Sequence, residues 1–294
     1  MTALICLGLG YSAEHFVKVF GAKFDHIVGT VRSAERVAAL TADAGRLEAL
    51  VFDGKTATDE LRRAIAAADA ALISIPQDAA GDPVLRAFGD AFAQAPRLRA
   101  IVYLSTVGVY GDCGGAWVDE ATPAKSTSAR SRERLAAEAE WQALGARRGI
   151  GVAILRLAGI YGPGRSALTQ VKRGDARRIV KPGQVFNRIH VGDIAQAIDA
   201  AIACRAAGIF NVADDEPTPP GEPLAFAAQL LDVPPPPEIP FAQAAPAMSE
   251  LALSFWQECR RVKNDKLKHE LGVRLGYPTY REGLRALLNA GSGP

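Results

Sequence analysis

The first half of the chain alternates between short apolar segments and longer segments with helical periodicity. The predicted strands are residues 3–8, 26–32, 47–52, 70–75, 100–105 and 152–157. The predicted helices between them are residues 12–21, 33–42, 56–67, 82–93 and 130–144. Strands joined by helices require right-handed crossovers, which place parallel strands in one sheet with helices on both faces. The sequence therefore predicts an α/β fold with a doubly wound parallel sheet.

The second half of the chain has a different pattern, which predicts a smaller domain. Gly and Lys/Arg residues are frequent in 166–188, and the proline-rich stretch 217–240 surrounds one candidate helix at 224–231 and is expected to hold no regular sheet. A further strand is predicted at 208–214. We therefore predict a main α/β domain and a C-terminal cap that binds substrate. The main domain is residues 1–165 with 189–213 returning to it, and the cap is residues 166–188 and 214–294.

Composition and charge exclude several classes of protein. The 294 residues are 49% hydrophobic and 22% charged with a formal net charge of +2, which gives no case for binding nucleic acid or a membrane surface. The apolar start lacks a basic region typical of a signal peptide, and no stretch is apolar and long enough to cross a bilayer. Cys6, Cys113, Cys204 and Cys259 lack metal-site spacing, so we expect reduced thiols, no metal and a cytoplasmic protein.

A glycine motif follows the first predicted strand. In "CLGLGYSA", Gly8, Gly10 and Ala13 form a G-x-G-x-x-A pattern. Gly8 permits a tight turn, Gly10 lets the backbone approach a pyrophosphate, and Ala13 lets the helix pack closely on the strand. Backbone amides at the helix start would bind the phosphates, so Gly8, Gly10, Tyr11, Ser12 and Ala13 are predicted to bind a dinucleotide. A tight turn that binds no ligand is the alternative.

The end of the second strand discriminates between the two nicotinamide dinucleotides. NAD sites place Asp or Glu about 20 residues beyond the glycines to bind the ribose hydroxyls. Here Arg32 and Ser33 occupy that place. A guanidinium pairs with a 2′-phosphate and stacks on adenine, so we predict NADP(H) rather than NAD(H). The alternative is that Arg32 is a solvated charge at a strand end.

Motifs over nearly the whole chain resemble one family. The segments "GLGYSA", "VFDG", "VYLSTVGVYGD", "ILRLAGIYGPGR", "RIHVGDIAQAI", "GIFNVADDEP" and "YPTYREGLRALL" resemble the extended branch of the short-chain dehydrogenase/reductase superfamily, the NAD(P)-dependent epimerase/dehydratases. The resemblance implies an NAD(P)-binding Rossmann domain, a C-terminal substrate cap and a cofactor that lies across the strand ends. It also implies a homodimer.

The resemblance implies roles for individual residues. Asp53 resembles the adenine-contacting acid, and Ile75 with Pro76 resembles the ribose-contacting turn. Ser105 and Thr106 resemble the catalytic hydroxyls that orient a substrate carbonyl or alcohol.

Further positions of the pocket follow from the same motifs. Tyr110 resembles a pocket residue and is predicted to be catalytic, whereas Tyr161, Arg188 and His190 are predicted to contact substrate. Tyr161 packing a turn and His190 as a structural imidazole are the alternatives.

The catalytic Tyr and Lys of the family, four residues apart, are absent from the helix after the fifth strand. In "SARSRERLAAEAEW", Arg130 stands at the tyrosine position and Arg134 at the lysine position. Arginine is a poor proton donor but stabilises negative charge, so both are predicted as catalytic residues. Arg134 and Glu138 are expected to pair on a solvated face, with an anion between Arg130 and Arg134. The missing dyad resembles an atypical, YeeZ-like subgroup.

Two functions remain from these observations. One is an NADP(H)-dependent oxidoreductase or epimerase for a small polar or phosphorylated substrate, such as a nucleotide-sugar, with Tyr110, Tyr161 or His190 as a displaced acid/base. The other is a sensor that binds NADP(H) without turnover; a purely structural protein is a third, weaker alternative. A basic segment favours an acidic substrate if it faces the cleft, and it would otherwise be a solvated loop. Its residues are Arg165, Lys172, Arg173, Arg177, Arg178, Lys181 and Arg188.

Overall fold

The computed structural model describes residues 2–41, 45–125 and 128–291. In these residues the strands β1 to β13 are, in chain order, Ala3–Leu7, His26–Val31, Leu47–Val51, Ala70–Ile73, Ala100–Thr106, Trp117–Val118, Gly151–Leu157, Gly159–Tyr161, Arg178–Val180, Arg188–His190, Gly208–Val212, Glu238–Pro240 and Arg261–Val262. The helices α1 to α12 are Tyr11–Phe20, Ala34–Thr41, Asp59–Ala67, Pro83–Gln94, Ala129–Arg148, Ala167–Arg173, Val191–Ala203, Glu222–Leu230, Phe241–Ala244, Glu250–Gln257, Asp265–His269 and Tyr280–Asn289. The predicted end of the second helix, at residue 42, lies outside the described residues.

The main sheet contains seven parallel strands, in the order β11-β7-β5-β4-β1-β2-β3. The chain builds β2 and β3 on one side of β1 and then returns to place β4 on the other side. This change of direction creates a crevice at the carboxyl ends of β1 and β4, which is where doubly wound sheets bind ligands. The predicted α/β fold is confirmed.

Apolar side chains on both faces explain why the strands have nearly continuous apolar sequences. On one face, Phe16 of α1 and Ile198 of α7 belong to a buried cluster with the strand residues. On the other face, Phe88 of α4 and Trp141 of α5 belong to a second cluster. A parallel sheet covered in this way needs apolar residues at consecutive positions rather than at alternate ones.

The C-terminal elements form a separate small cluster around Tyr161, in which α6, α8 and α12 contribute Leu168, Ala227 and Leu284. Short parallel strand pairs accompany it: β8 with β10, β9 with β12, and β6 with β13. The expectation that the proline-rich stretch holds no sheet pairing is wrong, because β12 lies inside it. Pro240 is tolerated there since it ends a three-residue strand that pairs on one edge only. The domain boundaries stay a prediction.

Candidate functional site

Hydrogen bonds to β2 and packing against the segment after β4 fix the glycine turn between β1 and α1. Gly8 has φ +99°, its N–H donates to Thr30 Oγ1 at 2.8 Å, and the N–H of Leu9 donates to the Thr30 carbonyl at 2.7 Å. A Cβ on Gly8 would come within 2.8 Å of Ile75 Cγ1, so the close approach of β4 requires glycine here. Ile75 therefore packs against the turn, and the following Pro76 is exposed.

The start of α1 is open to a ligand. Gly10 is its N-cap residue and provides no side-chain hydrogen bond to the first amides of the ten-residue helix. A Cβ on Gly10 would meet no described atom within 4 Å. Uncapped amides at a helix N-terminus bind anions, so the turn fits a dinucleotide pyrophosphate. Ser12 and Ala13 are buried behind it, and Tyr11 reaches away from it to donate a hydrogen bond to the Pro163 carbonyl at 3.0 Å.

The residues predicted at the adenosine end lie at the carboxyl ends of β2 and β3. Arg32 is exposed and Ser33 is partly buried. Asp53 is exposed, and its Oδ1 accepts the backbone amides of Thr56 and Lys55 at 2.9 and 2.8 Å. These hydrogen bonds lower the pKa of Asp53, so its carboxylate stays ionised and anchors the loop after β3.

A cleft of about 950 Å³ opens between the carboxyl ends of the central strands and the C-terminal elements. Of the residues predicted to act on substrate, Ser105, Thr106, Arg130, Tyr161 and Arg188 line it. Among these predicted residues, the cleft brings together side chains up to 83 positions apart, from Ser105 to Arg188.

The two hydroxyls at the end of β5 have different hydrogen-bond partners. Thr106 Oγ1 accepts the N–H of Gly108 at 3.1 Å, which leaves the Thr106 hydroxyl proton able to donate into the cleft. Ser105 donates instead to the Glu138 carboxylate, which leaves its oxygen only acceptor sites for a ligand in the cleft. Sequence reasoning missed Glu138 as part of this site.

Glu138 and Arg156 form a buried ion pair beneath the cleft. Arg156 Nη2 lies 2.7 Å from Glu138 Oε2, Arg156 Nε lies 3.2 Å from both carboxylate oxygens, and the two side chains are 5% and 3% exposed. The prediction that Glu138 pairs with Arg134 on a solvated face is wrong, because α5 turns both residues towards the sheet. One signal was present in the sequence: Arg156 interrupts an otherwise apolar strand.

Arg134 and Arg130 lie in different environments. Arg134 is 8% exposed, and its Nη1 donates to Tyr103 Oη at 3.3 Å and to the Leu104 carbonyl at 3.1 Å. It does not line the cleft, so the arrangement gives no support to the prediction that it contacts substrate or shares an anion with Arg130. Arg130 is exposed, lines the cleft and is held through its carbonyl by Gln77 Nε2 at 2.8 Å.

Tyr110 and Tyr161 differ in their access to the cleft. Tyr110 is fully buried and donates to Asn211 Oδ1 at 2.8 Å, and burial raises its pKa. Tyr161 lines the cleft and donates to the Thr279 carbonyl at 3.4 Å, and burial raises its pKa as well. Both phenols are therefore neutral at pH 7, and Tyr161 alone of the two can reach a ligand in the cleft.

His190 does not line the cleft. Its Nδ1 accepts the N–H of Gly192 at 3.1 Å and so caps α7, and its ring packs 3.8 Å from the Tyr277 ring. Burial lowers its pKa to about 4, which keeps the imidazole neutral. A substrate contact of His190 stays a prediction, and the geometry describes a helix cap.

Arginines dominate the charge of the cleft. The charged residues that line it are Arg130, Arg165, Arg173, Arg188, Arg260 and Glu258. Glu258 is paired with Arg260 at 2.7 Å, which leaves an excess of positive charge. Arg260 was missed in the sequence because it lies far from the predicted basic segment.

Some of the predicted basic segment faces elsewhere. Arg178 pairs with Glu238 at 2.7 Å, and Lys181 donates to the Trp256 carbonyl. Lys172, Arg177, Arg178 and Lys181 do not line the cleft. The segment is thus divided between the cleft and the protein surface.

Metal-ligating clusters and membrane-spanning helices were two further features to look for in the described part of the chain. It has no group of three or more His, Cys, Asp or Glu residues placed to hold a metal ion, and its cysteines are free thiols. Among the described helices, none has both the length and the apolar character to span a membrane.

Comparisons with known proteins agree with this geometry. Over 99% of both chains, the protein is 43% identical to a functionally unknown conserved protein from Silicibacter pomeroyi DSS, with a TM-score of 0.89. Its fold is similar to that of a dTDP-glucose 4,6-dehydratase from Bacillus anthracis in complex with NAD, with a TM-score of 0.77 and 16% identity over 98% of this chain and 96% of that one.

The chain is also similar to a curated reductase. It is 28% identical over 217 residues to a 3-diazoavenalumate denitrifying reductase from a Streptomyces species. The match spans 70% of this chain and 65% of that protein's length, slightly less than two thirds. Residues 84–213, which include the hydroxyls of β5, the buried ion pair and β11, match the model of the NAD dependent epimerase/dehydratase family. Over these residues the chain is therefore similar to this NAD dependent family, as its motifs predicted.

Proposed function

We propose that the protein is an NADP(H)-preferring oxidoreductase or epimerase that acts on a small anionic substrate with a non-standard acid/base. The observation that carries the proposal is the open start of α1 at the same sheet edge as the cleft. The amides after Gly10 are uncapped there, and Ser105 and Thr106 face the cleft from the end of β5, which lies two strands from β1. A dinucleotide bound along this edge would bring its reactive ring towards the two hydroxyls.

When bound, the dinucleotide supplies hydride chemistry, and the chain supplies positioning and charge. Thr106 donates a hydrogen bond to a substrate oxygen through its hydroxyl proton, because Gly108 takes up only an acceptor site of this side chain. Ser105 is fixed by Glu138 and accepts from a substrate hydroxyl. Arg130 stabilises negative charge that develops on the substrate, which is the role left to a guanidinium at the tyrosine position.

The NADP(H) preference rests on the end of β2. Arg32 is exposed there and is followed by Ser33, so a guanidinium and a hydroxyl stand where an NAD site requires a carboxylate. A 2′-phosphate would be bound by both.

The preference for an anionic substrate rests on the charge of the cleft. Arg130, Arg165 and Arg173 line it and form no ion pair with a described carboxylate. The similar proteins are named for dTDP-glucose in one case and for 3-diazoavenalumate in the other. A homodimer stays part of the proposal.

Calorimetric titration with NADPH and NADH tests the cofactor assignment. Arg32→Asp is expected to weaken NADPH binding at least tenfold and to strengthen NADH binding, because the new carboxylate can bind the ribose hydroxyls; Arg63→Asp, at an exposed arginine on α3, is the matched control. NADPH affinity unaffected by Arg32→Asp would reject the preference. Tight NADPH binding without hydride transfer to any carbonyl compound would favour the NADP(H) sensor over the enzyme.

A further inference from the structure

Arg188 is a cation inside the cleft whose hydrogen-bond partners are neutral. It lies on β10, lines the cleft, and donates through Nη1 to the Phe186 carbonyl at 3.0 Å and to Thr218 Oγ1 at 2.5 Å. These bonds orient the guanidinium without neutralising it. An oriented guanidinium with a free edge pairs with a planar carboxylate through two parallel hydrogen bonds.

The carboxylate near Arg188 does not compensate its charge. Asp214 is 1% exposed, its Oδ2 has no described hydrogen-bond partner, and burial raises its pKa to about 8. The Asp214 side chain is therefore mostly protonated at pH 7. Burial also lowers the pKa of Arg188, and it outweighs the opposing effect of the nearby Asp214 carboxyl.

Aromatic side chains line the cleft together with Arg188. Phe186 and Trp256 pack edge to face with their ring centroids 5.2 Å apart, and both line the cleft with Phe255 and Tyr280. Phe186 also provides the carbonyl that holds Arg188, so the aromatic wall and the cation belong to one substructure. Such a wall favours a flat ring that can stack or pack edge to face.

Few partly buried arginines of the cleft are free to bind a ligand, which favours a ligand with one negative charge rather than two. Arg260 is the other partly buried arginine of the cleft, and it is already bound to Glu258 and to the Gly111 carbonyl. Arg130, Arg165 and Arg173 also line the cleft but are exposed, so a diphosphate buried at Arg188 would meet no second unpaired cation at that depth among the described residues. We propose that the cleft binds an aromatic carboxylate, with the carboxylate on Arg188 and the ring against Phe186 and Trp256; this rests on the proposed function, whose substrate class it names.

Calorimetry of the full chain saturated with NADP⁺ tests the proposal with simple probes. Cinnamate is expected to bind at least tenfold more tightly than cinnamamide, a difference of 1.4 kcal/mol, because only the acid pairs with Arg188. It is also expected to bind more tightly than cyclohexanepropanoate, which has the charge without the ring. Equal affinities for the acid and the amide, or tighter binding of UDP-glucose in competition with cinnamate, would overturn the proposal.

Two substitutions test whether Arg188 is the residue that binds the carboxylate of cinnamate. Arg188→Met keeps the aliphatic stem and is expected to lower cinnamate affinity at least tenfold while cinnamamide affinity stays constant. Arg177→Met, in an exposed arginine outside the cleft, is the control and should bind as the wild type does. Unchanged cinnamate affinity in Arg188→Met would refute the assignment, and the acid–amide comparison on the wild type decides the matter if that variant does not fold.

Two further titrations of the same protein distinguish a failure of this inference from a failure of the proposed function. A titration with NADPH, monitored by calorimetry without any substrate, reports on the glycine turn alone. NADPH binding without selective cinnamate binding would overturn the aromatic carboxylate and retain the proposed cofactor. The cinnamate titration is repeated on the protein without NADP⁺. If cinnamate still binds selectively but NADPH does not bind, the ligand class is supported and the proposed function is overturned.

Discussion

Glu138→Gln should destabilise the protein far more than a typical loss of one charge. The variant leaves Arg156 buried, 5% exposed, with no carboxylate to balance it, and removes the charged acceptor of the Ser105 hydroxyl. Breaking a buried pair by neutralising one partner costs about 3–5 kcal/mol. For a chain of this size, that corresponds to a fall in melting temperature of at least about 6 °C.

Denaturant unfolding followed by circular dichroism measures this loss, with Asp90→Asn as the matched control. Asp90 pairs with Arg62 at 2.8 Å, but the side chains are 64% and 37% exposed, so its loss should cost at most about 1 kcal/mol. The double variant Glu138→Leu/Arg156→Met should recover most of the loss, because apolar replacement of a buried pair is often neutral. A Glu138→Gln protein within about 1 kcal/mol of the wild type would refute the reasoning.

Three further predictions concern the turn, the helix cap and the hydroxyl. Gly8→Ala should abolish NADPH binding in calorimetry, since Gly8 has φ +99° and its added Cβ would lie 2.8 Å from Ile75 Cγ1; normal affinity would contradict this. The pKa of His190 is 6.5 in the unfolded chain and about 4 in the folded protein, so the unfolded state takes up a proton first as the pH falls. The free energy of unfolding is therefore unaffected by this group at pH 7 and decreases as the pH falls from 6.5 towards 4. Between pH 7 and pH 5, the free energy of unfolding of His190→Gln should therefore fall by about 2 kcal/mol less than that of the wild type, as measured by denaturant unfolding. Parallel pH dependences of the two proteins would argue against this prediction. Thr106→Val should reduce hydride transfer by about 10²–10³-fold in steady-state assays while NADPH affinity is unchanged, and wild-type turnover would remove Thr106 from the proposed mechanism.

The sheet was predictable from local sequence because each of its strands is buried on both faces. A continuous apolar run such as that of β4 is specified by the strand itself, and the glycine turn after β1 is specified by adjacent residues. The proline-rich stretch misled the same reasoning, because a short edge strand needs so few hydrogen bonds that Pro240 does not prevent it.

The candidate site was predictable where one motif supplied it and not where distant residues meet. Ser105 and Thr106 follow from the end of β5, but the partner of Glu138 is Arg156, 18 positions further on. An i,i+4 spacing suggested a surface pair with Arg134, and only the orientation of α5 reveals that both residues are buried. Burial, rather than residue type, decided which charges form the site.

The two arginines at the family's tyrosine and lysine positions determine what the proposed chemistry requires from the rest of the cleft. Arg134 donates to Tyr103 Oη and to the Leu104 carbonyl, so the phenol whose pKa it acts to lower is the buried Tyr103 and not a proton donor in the cleft. Arg130 stays in the cleft, where a guanidinium stabilises a developing negative charge but does not hand over a proton. Thr106 can pass on its hydroxyl proton only if solvent replaces it. Tyr161 lines the cleft as a neutral phenol, so we infer that the proposed reaction first stabilises a charged product and then takes its final proton from Tyr161 or from water.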